Sequence, residues 1–140
     1  MALLIVGRGI VRRPTAGTYI GLITGIVAVA IVPGKEGVLT AVKYIVPGIT
    51  VDVMTPLFRG RLDRPVPAAL IAATAHVAKL MSALLMGVAL GIPSGFLALG
   101  LGFAAFTHAG FGVLGGLLGA VVLSRLERAG VVAPPKVRAS

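Results

Sequence analysis

The sequence predicts an all-α, polytopic integral membrane bundle with four full transmembrane spans and a short apolar helix at the N-terminus. Three observations predict it. First, 57% of the 140 residues are hydrophobic and 12% are charged, with a mean hydropathy of +1.04. Globular domains carry about 25% charged residues, and a chain this short could not cover so much apolar surface in water. Second, the apolar stretches recur at roughly the 20 residues that a helix rising about 1.5 Å per residue needs to cross a hydrocarbon core. Third, the charges collect at alternate gaps. Arg8, Arg12 and Arg13 precede the first long stretch, and Arg59, Arg61, Asp63 and Arg64 fill the second gap. Arg125, Glu127, Arg128, Lys136 and Arg138 follow the last stretch. These places sum to +3, +2 and +3, whereas the other gaps hold only the cancelling Lys35 and Glu36, and no charge around Pro93. Retention of Lys and Arg on the cytoplasmic side sorts charges in this way. It places both termini in the cytoplasm of a multi-pass cell-membrane protein.

The elements follow in order. Met1 to Val11 is apolar but rises only about 16 Å as a helix. It lacks a positive n-region and so is not a signal peptide; it reads as the end of a preceding span. Residues 15–32 form the first full span, closed by Pro33-Gly34. Residues 38–58 form the second, broken near its middle by Pro47-Gly48. Residues 67–90 form the third, with Pro67 suited to a first helical turn. Residues 94–123 form the fourth, whose excess length predicts tilt or a kink in its glycine-rich half. The connecting segments 33–37, 59–66 and 91–93 are short, which forces antiparallel neighbours and one bundle over residues 1–126. Residues 127–140 read as a basic cytoplasmic tail that is disordered or lies on the membrane surface. The apolar runs are continuous rather than alternating, which argues against strands.

Several function classes are excluded. There is no cysteine, so disulfides, thiolate nucleophiles and Cys-based metal sites are absent. Eight of the nine net positive charges belong to the three clusters, which suits anionic lipid in a bilayer. With no Trp and only Tyr19 and Tyr44, stacking platforms for nucleic acid are missing. No paired carboxylates, no His pair at i, i+4 and no serine–histidine–carboxylate arrangement point to catalysis. The glycine-rich segments lack the ending of a phosphate loop. The chain reads as a non-enzyme without a cofactor.

Two kinds of residue stand out within the spans. Gly17, Gly21 and Gly25 recur every four residues, as do Ala83, Gly87, Gly91 and Gly95, Gly112 and Gly116, and Gly115 and Gly119. Such stripes let helix backbones approach closely, either inside the bundle or against another subunit. The intramembrane polar residues are costly in hydrocarbon and must face protein or water. Counted from the cytoplasmic ends, Asp52, His76 and Lys79 lie about 10, 12 and 17 Å deep, and Lys43 and His108 about 24 Å. The inner three form an expected polar network in which Asp52 accepts from His76 or Lys79, as a structural lock or a proton relay. In the outer layer, Lys43 either snorkels to the surface or stands beside a cavity for an anionic or hydrogen-bonding solute. Pro47 removes a donor and frees the carbonyl of Lys43, and broken helices at this depth line cavities or are covered by protein. Lys43, Pro47, Gly48 and His108 are thus the candidate solute contacts.

The stretch from Gly7 to Phe58, GRGIVRRPTAGTYIGLITGIVAVAIVPGKEGVLTAVKYIVPGITVDVMTPLF, resembles the middle of substrate-binding S components of energy-coupling-factor vitamin transporters. Its arginine turn and Pro/Gly-started span are similar to their third helix, and Lys43-Tyr44-Ile45-Val46-Pro47-Gly48 with Asp52 to their fourth. The ending HAGFGVLGGLLGAVVLSRLERAG from His108 is similar to their last helix and its basic exit. Members of that family have two further N-terminal helices, and here Met1 to Val11 corresponds to the end of the second. The resemblance implies a solute-recognition subunit of a vitamin-like micronutrient importer with an outward-facing cavity. It also implies a transmembrane coupling subunit and ATPase subunits as partners. The alternatives are a structural subunit of a larger membrane complex and a small oligomeric channel or carrier.

Overall fold

Proline and glycine punctuate the described residues into six α-helices. The computed structural model describes residues 1–31, 37 and 39–133. Helix α1 (Ala2–Val11) ends where Arg12 takes a left-handed φ of 52°. It is followed by α2 (Ala16–Ile31) and by α3 (Leu39–Met54), which tightens into a 3-10 turn over Thr55–Phe58. Arg59 and Gly60, with φ of 53° and 71°, reverse the chain. Helix α4 (Pro65–Ala89) starts with Pro65 in its first turn, where the missing N–H costs nothing. Then come the short α5 (Ser94–Leu99) and the long α6 (Leu101–Arg128). No strand occurs among the described residues.

Three helical stretches, Thr40–Phe58, Pro65–Ala89 and Leu101–Arg128, are long and apolar enough to cross a membrane. Helix α2 has 16 residues and rises about 24 Å, short of a hydrocarbon core of about 30 Å. The Lys35-Glu36 gap lies outside the described residues, as do Lys136 and Arg138.

Two expected interruptions are relocated. Helix α3 runs through Pro47 as one helix rather than breaking there. Neighbouring helices in a membrane bundle re-satisfy the backbone groups that a proline frees, and both Pro47 and Gly48 are buried. The last span, expected to tilt or to kink in its glycine-rich half, is divided at Gly100 into α5 and α6, and α6 runs as one helix through that half. The physical reason is support. A Cβ placed on Gly112 or Gly116 would run into the α4 backbone at Ala72–Ala73 or Ala68–Ala69, and one on Gly119 into Ile5. Those glycines are clamped by neighbours, whereas Gly100 and Gly102 meet nothing within 4 Å. An unsupported glycine carries its full helix penalty, about 1 kcal/mol relative to alanine.

The helices pack chiefly as two pairs, α2 with α3 and α4 with α6, joined through α3 and α4. Helix α1 lies against α6, α2 and α3. The α2–α3 seam is a glycine seam: Gly17 faces Gly48, Gly21 faces the Tyr44 carbonyl, and Gly25 faces Ala41. Gly9 on α1 accommodates the Leu123 side chain. Gly87 makes only ordinary contact with Leu97, and Gly91, with φ 83° and open space around it, is a turn residue rather than a packing one. The core is small: Leu4, Ile5, Val51, Leu62, Ala68, Ile71, Ala72, Ala75, Ala120 and Leu123. Many other large side chains point outward, with Leu99 87% and Phe103 and Phe106 each 78% exposed. Small residues along the helix seams and large apolar residues on the outer surface are the distribution that lipid favours.

Leucine at position 116 should force α4 and α6 apart. Overpacking of this kind costs about 1–3 kcal/mol, so Gly116→Leu is expected to lower the thermal midpoint of detergent-solubilised protein followed by circular dichroism. Gly102→Leu meets open space and should leave the midpoint unchanged or raise it slightly.

Candidate functional site

Asp52 sits where three helices converge. Its carboxylate is buried, and its Oδ1 accepts from Arg8 Nε at 2.7 Å and from the Gly17 N–H at 3.0 Å. Its Oδ2 accepts from the Thr18 N–H at 2.7 Å and from Thr18 Oγ1 at 2.8 Å. One side chain of α3 thereby caps the first turn of α2, where N–H groups lack helical partners and the dipole favours an anion. It also neutralises the one arginine of α1 that is buried, Arg8. Gly17 is needed for this approach, since a Cβ there would come within 3.0 Å of Oδ1 and 2.8 Å of the Gly48 carbonyl. Every lone pair of this carboxylate that geometry can use is taken.

About a turn further along the same helices, and bounded also by α4, lies a cleft of about 220 Å³. Met1, Leu3 and Leu4 of the α1 end line it, with Ile20, Gly21 and Thr24 of α2, Lys43, Tyr44 and Pro47 of α3, and His76 and Lys79 of α4. Lys79 Nζ stands 5.0 Å from the centroid of the Tyr44 ring, a cation–π geometry that holds the ammonium at the cleft. Among the described residues no carboxylate lines this space. The other acids among the described residues are engaged elsewhere: Glu127 pairs with Arg12 at 2.9 Å and Asp63 with Arg61 at 3.7 Å.

His76 is braced from behind by α6. His108 Nδ1 lies 3.2 Å from His76 Nδ1 and 3.3 Å from the His76 carbonyl oxygen, with the rings edge-to-face at 66°. A carbonyl can only accept, so with its proton on Nδ1 His108 turns that N–H toward both the His76 carbonyl and His76 Nδ1, which puts the His76 proton on Nε2. His76 is also among the residues that line the cleft. Among the described residues no third metal-ligating side chain joins the two histidines.

The geometry regroups the expected layers. Asp52 does not meet His76 or Lys79; Arg8 and the start of α2 claim it first. His108 meets His76 rather than standing with Lys43. Lys43 and Pro47 do line the cleft, but Gly48 belongs to the α2–α3 seam. His76 and Lys79, expected in the inner network, line the cleft instead. Counting from the observed helix ends explains part of this: Lys79 lies about 21 Å above Pro65 and Lys43 about 22 Å above Phe58. Tyr44, Ile20 and Thr24 were missed. Tyr44 was recoverable from the sequence, because a lone aromatic beside Lys43 in a nearly tyrosine-free chain is a cation partner in waiting. Comparison with known proteins finds no matching family, curated protein or solved structure.

Removing one partner of a buried ion pair leaves the other charge uncompensated, at a cost of about 3–5 kcal/mol. Asp52→Asn should therefore sharply lower the thermal midpoint. Arg8→Met combined with Asp52→Leu should cost less than the sum of the two single changes, as read from a double-mutant cycle. Additive losses would contradict direct coupling.

Proposed function

We propose that this chain is a membrane-embedded solute-recognition subunit, one that binds a small solute in the cleft between α1, α2, α3 and α4. In this reading residues 15–32 complete a fourth span, both termini lie in the cytoplasm, and the cleft opens away from it. The observation that carries the proposal is the convergence of Lys43, Tyr44, His76 and Lys79 on one cavity within helices of membrane-spanning length. Ionisable groups at that depth are expensive and concentrate at binding sites and ion paths. A purely structural role would set a carboxylate beside the Lys79 ammonium. Lys79 instead stands over Tyr44, with no acid in the cleft lining among the described residues. The likeness of residues 7–58 and of the last helix to energy-coupling-factor S components supports an importer for a vitamin-like micronutrient. A coupling subunit and ATPase subunits would then power it, because the chain carries no nucleotide-binding motif of its own.

Gently purified protein should retain its solute. Mass spectrometry of small molecules released on denaturation is expected to find one compound in near-stoichiometric amount. Its yield should fall at least about tenfold in Lys79→Ala, the scale of a lost charge-assisted contact, and also in Lys43→Ala. A folded protein that releases nothing, retains nothing added, and co-purifies with a large membrane complex would contradict the proposal.

A further inference from the structure

The cleft also constrains what can enter it, and this step rests on the cleft being the recognition site. From its size, its two-ended lining and its sign, we infer that it receives a compact monocarboxylate with an apolar body, the carboxylate held by Lys79 and His76. Size comes first. An apolar cavity of about 150 Å³ holds benzene, so about 220 Å³ admits roughly nine or ten non-hydrogen atoms on the same scale. A nucleotide or large ring system would exceed this volume and protrude from the cleft. The lining is divided: Leu3, Leu4 and Ile20 offer an apolar wall, and Lys43, Tyr44, His76 and Lys79 a polar one, with Met1 also in the lining. Thr24 adds little polarity, because its hydroxyl donates to the Ile20 carbonyl at 2.7 Å.

Sign follows from the acids. Asp52, Asp63 and Glu127 are each paired with an arginine away from the cleft. The Lys79 ammonium, in the middle of a helix long enough to span, has the Tyr44 face beside it and no acid in the lining among the described residues. An anionic solute supplies the missing counter-charge. The tautomer argued above adds a second donor, His76 Nε2–H, one turn from Lys79 on α4. A point-charge ammonium and one N–H suit a carboxylate. A phosphate ester brings three acceptor oxygens and close to two charges, more than one ammonium and one N–H can answer, and no arginine lines the cleft to add donors.

The test uses the full chain in detergent and three probes of one shape: benzoate, benzamide and phenyl phosphate, titrated by calorimetry and by ligand-observed saturation-transfer NMR. Benzoate is expected to bind saturably and at least about tenfold more tightly than either comparator, the scale of one charge-assisted contact. Lys79→Gln should remove that advantage while leaving benzamide binding unchanged. Should Lys79→Gln fail to fold, the benzoate-to-benzamide ratio on the unaltered chain decides alone. Equal binding of benzoate and benzamide, a preference for phenyl phosphate, or no benzoate binding to folded protein would overturn the inference. If the protein then still releases a solute of another chemical class, the recognition reading survives and only the carboxylate assignment falls. If it releases none, both fall.

Discussion

A carboxylate at membrane depth has to be answered by donors from its own chain, and the Asp52 joint is how this fold answers it. Arg8, the Gly17 and Thr18 amides and the Thr18 hydroxyl all converge on Asp52. Because these donors come from α1 and the start of α2, satisfying one group fixes three helices relative to each other. The rest of the polar inventory is sorted by what that joint consumes. Once Arg8 and Asp52 have taken each other, Lys79 and His76 are left to the cleft. His108 then serves as a brace from α6. The order of claim matters: the strongest pairing is made by helix geometry, and Lys79, set over the Tyr44 ring, is placed at the cavity.

The second constraint is the weakness of any hydrophobic force between helices in lipid. Contact has to come from backbone proximity, which only small residues allow. Gly17, Gly21 and Gly25 bring α2 onto α3, and the same seam positions Tyr44 and Lys43 at the cleft wall. Gly112 and Gly116 bring α6 onto α4, and this places His108 against His76. Packing glycines and site residues are therefore not separate features. Each seam sets the distance across which the polar side chains meet.

Much of this was legible in the residues alone. Long apolar runs bounded by Pro33-Gly34, the Arg59–Arg64 turn and Pro93 marked out the helical stretches, since hydropathy and proline act locally, but not the break at Gly100 that separates α5 from α6. The glycine stripes on α2 and α6 were legible for the same reason. Gly91 was not, because a four-residue spacing cannot distinguish a helical glycine from one with positive φ. Arg8 was read as a boundary charge with Arg12 and Arg13. Only the placement of α1 against α2 and α3 reveals it as the partner of Asp52. Counting depth along idealised helices also put His76 and His108 in different layers, because such counts ignore tilt and the reach of the side chain. Position along one helix is written in the sequence; adjacency between helices is set by packing.

Everything above assumes that the chain threads a bilayer with its arginine-bearing turns on one side. The protein contains no cysteine, so single cysteines placed at Arg61, Gly91 and Arg128 can be probed in sealed membranes with an impermeant maleimide. The account predicts that positions 61 and 128 react from the same compartment and position 91 only from the opposite one. Reaction of positions 61 and 91 from a single side, or a protein that stays monomeric in water without detergent, would contradict it.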